Sequence, residues 1–166
     1  MVMNKKIRIT KTLAILLTLT ASLWGCIKPD NFPDEPKITD VSINKTAIES
    51  LVEDFVVSVD FQDGDGDIGI TNEYPEANAF LVDDRTGYID SLKIPYISPE
   101  GNIKSISGTL NFTILSECCI AISGITCTPN ATYPPTDTVN YSVIIKDRKG
   151  NVSNVAQAPP LLIICP

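Results

Sequence analysis

The 166-residue chain contains no histidine, and its single tryptophan, Trp24, lies near the amino terminus. Without histidine there can be no Ser-His-Asp or Cys-His nucleophile and no histidine-ligated metal centre. Long apolar runs are also lacking. The stretch from Leu13 to Leu23 covers about 11 residues, roughly half of a ~30 Å hydrocarbon core at 1.5 Å per residue, which is too short for a stable membrane span. No basic run follows the first 11 residues, which argues against a nucleic-acid partner. No stretch carries a sustained helical stripe, although Lys45 to Val52 could form a short turn of helix.

What is present at the start has the layout of a secretory signal: Lys5, Lys6, Arg8 and Lys11 without any acidic residue, then the short apolar stretch. Residues 1–25 are read as a leader. Leu23-Trp24-Gly25-Cys26 resembles the lipobox of bacterial lipoproteins. Leu23, Gly25 and Cys26 match it, while Trp24 stands where that family usually has a small residue. The resemblance implies that Cys26 is acylated and becomes the first residue of an exported chain held on the outer membrane, facing the periplasm or the cell surface. Two or more acyl chains anchor a protein stably, so the membrane is met through lipid alone. Loss of the leader leaves nine basic against 20 acidic residues, a net charge of −11.

Residues 26–36, "CIKPDNFPDEP", hold three prolines and three acidic residues and read as a semi-rigid spacer. Residues 37–166 form one domain of short strands. In "DFVVSVDF" the residues Phe55, Val57, Val59 and Phe61 alternate with a second face, a period of two. "SISGTLNFTIL" repeats this with Ile106, Leu110, Phe112 and Ile114, and Gly108 suggests a bulge or a close approach. "NYSVIIKD" turns Tyr141, Val143 and Ile145 inward. Weaker strands are Ile38 to Ile43, Ala79 to Val82, Tyr88 to Ile94 and Leu161 to Cys165. The turns "DDRTG", "SPEGN" and "DRKGN" carry β-turn chemistry. About seven strands of this kind point to an all-β fold, a single antiparallel immunoglobulin-like β-sandwich.

Assigning Cys26 to lipid leaves four cysteines, Cys118, Cys119, Cys127 and Cys165, an even number for an oxidising compartment. Adjacent cysteines rarely bond each other, so one of Cys118 and Cys119 is expected to take Cys127 and the other Cys165. Which takes which is not readable from the sequence. Their spacing does not match the paired thiolates of a zinc site.

The run "FQDGDGDIG" places Asp63, Asp65 and Asp67 at every second residue. Calcium takes six to eight oxygens, and such spacing supplies three carboxylates. In an extended strand alternate side chains would stand about 6.6 Å apart, so the chain must curl, and Gly64 and Gly66 permit curling through left-handed backbone. An EF-hand beginning at Asp63 is excluded, because Ile68 stands where that loop needs glycine and Tyr74 where it needs glutamate. Two readings stay open: a tight acidic turn without metal, or a calcium loop completed by Glu73, Glu76 or a distant carboxylate such as Asp147.

The strand ending in "DFQDGDGDIG", the later "DRKGNVSN" and the closing "APPLLIICP" resemble a group of uncharacterised lipoproteins of the Bacteroidota. The likeness runs from Pro36 to Pro166 and implies an envelope lipoprotein with an immunoglobulin-like or cadherin-like domain, without implying an activity. Residues and resemblance together suggest a non-catalytic structural or protein-interaction module with an envelope protein as partner, ordered by weak calcium binding, and give no sign of a small-molecule substrate. The alternative is a carbohydrate-binding surface lipoprotein of a glycan-capture system. Its platforms would be Tyr74, Tyr88, Tyr96 and Tyr133, since Trp24 leaves with the leader.

Overall fold

The computed structural model describes residues 32–98, 104–124, 127–128 and 130–166. The leader, Cys26, the first part of the spacer and all of the "SPEGN" turn except Ser98 lie outside the described residues. Among the described residues there are ten strands, β1 (Lys37–Ile43), β2 (Ala47–Glu49), β3 (Phe55–Asp63), β4 (Ala79–Asp83), β5 (Ile89–Leu92), β6 (Ile106–Ile114), β7 (Thr136–Val139), β8 (Tyr141–Ile145), β9 (Ala156–Gln157) and β10 (Leu161–Ile164).

The fold is an all-β sandwich. One layer is the antiparallel sheet β1-β3-β6. The other joins β5-β4-β8-β9 to β2-β10-β7, because β7 and β8 are separated only by Asn140, and β9 and β10 only by Ala158-Pro159-Pro160. The two prolines have no N–H to give to a ladder, which accounts for the interruption. Ala158 N–H still donates to Tyr141 O at 2.8 Å, carrying the pairing across it.

Period-two alternation decides what lies between the layers. Phe55, Val57, Val59 and Phe61 of β3 share one buried cluster with Leu110 of β6, Leu81 of β4, Val143 and Ile145 of β8 and Ile163 of β10. The Phe55 and Tyr141 rings meet across the layers with centroids 6.0 Å apart. Each large side chain buried there contributes about 1.5–3 kcal/mol. The alternation does not stop where the apolar residues stop. Asp63 continues the inward row of β3, Asp83 that of β4, and Asp147 stands two residues beyond Ile145 in the row of β8; all three are buried. The pairs Ala79↔Ile145 and Asp83↔Tyr141 lie at opposite ends of the β4–β8 ladder. Asp63 and Asp147 therefore close one end of the core, and Asp83 the other.

Several expectations are corrected. Ala47–Glu49 is a strand, not a turn of helix: it pairs in parallel with Leu162–Ile164 and buries Ile48, and Leu51 follows it with a left-handed φ of 60°. Gly108 marks no bulge, since β3 and β6 pair without a break from Phe55↔Ile114 to Asp63↔Ile106. β7 and β9 escape a hydrophobic reading: within β7 only Val139 is buried, and β9 is two residues long.

The cysteines pair as Cys118–Cys127 and Cys119–Cys165, with Cα atoms 5.5 and 5.9 Å apart. The second bond ties the chain just after β10 to the segment between β6 and β7. Two disulfides suit an oxidising, exported environment. Among the described residues no helix is long and apolar enough to cross a membrane.

Candidate metal centre

The aspartate run begins inside β3. Asp63 is the last residue of the strand and is fully buried, placed there by the same alternation that buries Phe61. The chain then bends. Gly66 has a φ of 69°, as a left-handed turn requires, while Gly64 serves a different need: a Cβ there would lie 2.2 Å from Phe32 O and 2.5 Å from Pro33 O. Ile68 re-enters the core, fully buried, and fixes the far side of the loop. Gly69, with a φ of 100°, passes so close to Pro95 O that a Cβ would stand 2.4 Å from it.

A second loop meets the first. Asp147 follows β8 and organises its own turn: Asn151 donates its backbone N–H to Asp147 Oδ1 and its side-chain amide to Oδ2, each at 2.7 Å. Gly150, with a φ of 94°, closes the turn. Arg148 then clamps the aspartate loop. Its backbone N–H donates to Asp67 O at 3.3 Å, and its guanidinium donates to Ile68 O and Gly69 O, each at 3.0 Å, while lying 5.6 Å over the Tyr96 ring.

Between these loops one oxygen from each of Asp63, Asp65, Asp67 and Asp147 lies within 4.8 Å of the others. Opposite oxygens across a cation with ~2.4 Å bonds are about 4.8 Å apart, so the four can reach a single ion. Three of these carboxylates carry a buried oxygen without a hydrogen-bond partner, Asp63 Oδ1, Asp65 Oδ1 and Asp67 Oδ1. An unpartnered buried polar atom is costly, and with three on one loop the four carboxylates could hold a metal ion. The other Asp63 oxygen, Oδ2, accepts the Asp67 N–H at 2.9 Å. Lys149 pairs with Asp65 Oδ2 from the rim, and the lysine itself is largely exposed.

Titration follows from this crowding. Burial and the neighbouring Asp65 push the Asp63 carboxyl up to about 6, against the pull of the Asp67 N–H. Burial, Asp147 and Asp65 push Asp67 up to about 6 as well. Of the completing ligands considered from the sequence, Asp147 joins the cluster. Glu73 and Glu76 do not; they are exposed and line an adjoining cavity with Tyr74, Lys146 and Lys149.

Sequence reasoning missed the opposite end. There Arg85, from the "DDRTG" turn, donates to Asp83 Oδ2 (2.8 Å), Glu117 Oε1 (3.0 Å), Asp137 Oδ2 (2.7 Å) and Cys118 O (3.3 Å). Burial pushes the Asp83 carboxyl up, but hydrogen bonds and charge from Arg85 outweigh it and leave its pKa lowered. Burial, followed by the hydrogen bond to Glu117, raises that of Tyr141. A fully satisfied network of this kind is structural. The inward parity of Asp83 was its one signal in the sequence.

No protein-family model, curated protein or solved structure matches this chain.

Proposed function

We propose that the chain is an envelope lipoprotein, acylated at Cys26, whose immunoglobulin-like domain is a non-catalytic structural or protein-interaction module ordered by calcium. The observation that carries this reading is the set of unpartnered oxygens on Asp63, Asp65 and Asp67, facing Asp147 at the end of a rigid core. Calcium suits it better than magnesium. Magnesium keeps several waters and usually takes one or two carboxylates, whereas calcium accepts many oxygens in flexible geometry. The adjoining acidic loops and the net charge of −11 favour cations further.

Strand order supports the immunoglobulin-type assignment: the first, third and sixth strands share one layer, while the fourth and eighth pair in the other. Disulfides and the lipobox-like Cys26 support export. The tyrosines of the carbohydrate alternative form no shared platform: Tyr74 and Tyr88 line separate cavities, Tyr96 lies under Arg148, and the Tyr133 hydroxyl donates to Thr128 O. Calorimetric titration with calcium tests the reading. One ion should bind per chain with a Kd on the order of 0.1–1 mM, as in other extracellular modules, and Asp147→Asn should weaken it at least tenfold. Equal heats for wild type and variant would refute the site, and intact mass without an acyl adduct would refute the anchor.

A further inference from the structure

The segment leading into β1 does not stand clear of the domain. Gly64 N–H donates to Pro33 O at 2.7 Å, and the close approach of the Phe32 and Pro33 carbonyls leaves no room for a side chain at Gly64. Pro36 is buried. Ile38, two residues on, is held by Asn154, whose Oδ1 accepts its N–H at 2.9 Å and whose Nδ2 donates to its carbonyl at 3.2 Å. Pro33, Glu35 and Pro36 share a groove with Asn151, Val152 and Asn154. Residues 32–38 thus lie across both ligand-bearing loops: on Gly64, between Asp63 and Asp65, and beside Asn151, which holds both oxygens of Asp147.

We propose that Phe32–Pro36 is a strap whose docking is coupled to cation binding at the four carboxylates, so that calcium fixes the base of the membrane tether and its removal releases it. The proposal rests on the calcium reading and adds the regulation of that site. Four converging carboxylates repel one another, and a loop relieved of a cation lowers that repulsion by opening. Opening at Asp63 or Asp65 moves the Gly64 N–H between them, and with it the hydrogen bond that seats Pro33. A cation drawing both neighbours inward holds that N–H in place. Such linkage is reciprocal, so a docked strap tightens the site by the factor by which the ion tightens the strap, typically 5- to 150-fold.

The test uses the mature lipidated chain in detergent, with hydrogen exchange at the Asp34, Glu35, Lys37 and Ile38 amides and calcium titration of the wild type, Gly64→Ala and Pro36→Asp. Calcium should slow exchange at these amides roughly tenfold or more, and both variants should bind calcium about tenfold more weakly. Pro36→Asp is the sharper variant, because Pro36 is not one of the clustered carboxylates or their chain neighbours, and its added negative charge would by itself favour a cation, so a weaker affinity must act through docking. Calcium binding with unchanged exchange, or with a Pro36→Asp affinity within twofold of wild type, would overturn the strap and leave the ion site standing. A wild type that binds no calcium would overturn both.

Discussion

At one end of the sandwich Arg85 stands among Asp83, Glu117 and Asp137, with its two terminal nitrogens donating to their carboxylates at 2.7 to 3.0 Å. At the other, Asp63, Asp65, Asp67 and Asp147 converge with the exposed Lys149 as their one ion-pair partner among the described residues, and the guanidinium of Arg148 is given to backbone carbonyls. Both ends bury carboxylates by the same strand alternation. One carries its cation in the sequence. The other leaves three oxygens unpartnered. The titration behaviour divides accordingly, with Asp83 lowered and Asp63 and Asp67 raised to about 6. A buried acidic cluster is thus read by what neutralises it, and a cluster that the chain leaves with unpartnered oxygens is one that could hold an ion.

The comparison can be broken most severely at Arg85. Arg85→Met should strand three carboxylates and lower the unfolding free energy by about 3–5 kcal/mol, measured by urea denaturation, with calcium affinity at the far end unchanged. The covalent staple belongs to the same end, since Cys118 and Cys119 follow Glu117. Replacing Cys119 and Cys165 together with alanine should cost roughly 4 kcal/mol through a loop of 46 residues, again without weakening calcium binding.

The pH dependence should separate the ends next. Asp63 and Asp67 titrate near 6 in the fold against 3.8 when unfolded, so in chelator the folded state binds more protons between these values. Stability should therefore fall as pH rises from about 4 to 6, by on the order of 2 kcal/mol, and stay low above that. Asp83 has the opposite sign: its contribution is present above its unfolded value of 3.8 and is lost as pH falls through its lower folded value. With calcium bound, the optimum should move to neutral pH, because the ion requires ionised ligands. The smallest effects come from isosteres. In chelator Asp63→Asn should stabilise by about 1 kcal/mol, while Asp83→Asn should destabilise by a similar amount. Melting curves giving both the same sign would remove the distinction between the two ends.

Much of this was legible in the residues. The alternation in β3, β6 and β8 is clear because both layers bury one face only, and cysteine parity anticipated two bonds. β7 and β9 were not readable, because each gives the core a single apolar side chain, Val139 and Ala156, and is held otherwise by main-chain pairing. The bridging role of Asp147 was named only as one option among several, because no local pattern says that two loops 80 residues apart share an end of the core. Following the inward parity from Tyr141 through Ile145 to Asp147, and from Phe55 through Phe61 to Asp63, points to it. Gly64 was expected to supply left-handed backbone; its actual constraint is the strap crossing it, a tertiary contact that composition does not encode.

Thermal unfolding of the mature chain in chelator and in calcium tests the central claim most directly. At calcium about ten times Kd, on the order of 10 mM at most for an extracellular-type site, stabilisation of about 1.4 kcal/mol should raise the midpoint by roughly 3–6 °C, and Asp63→Asn should erase the shift. An identical midpoint with and without the ion would contradict the account.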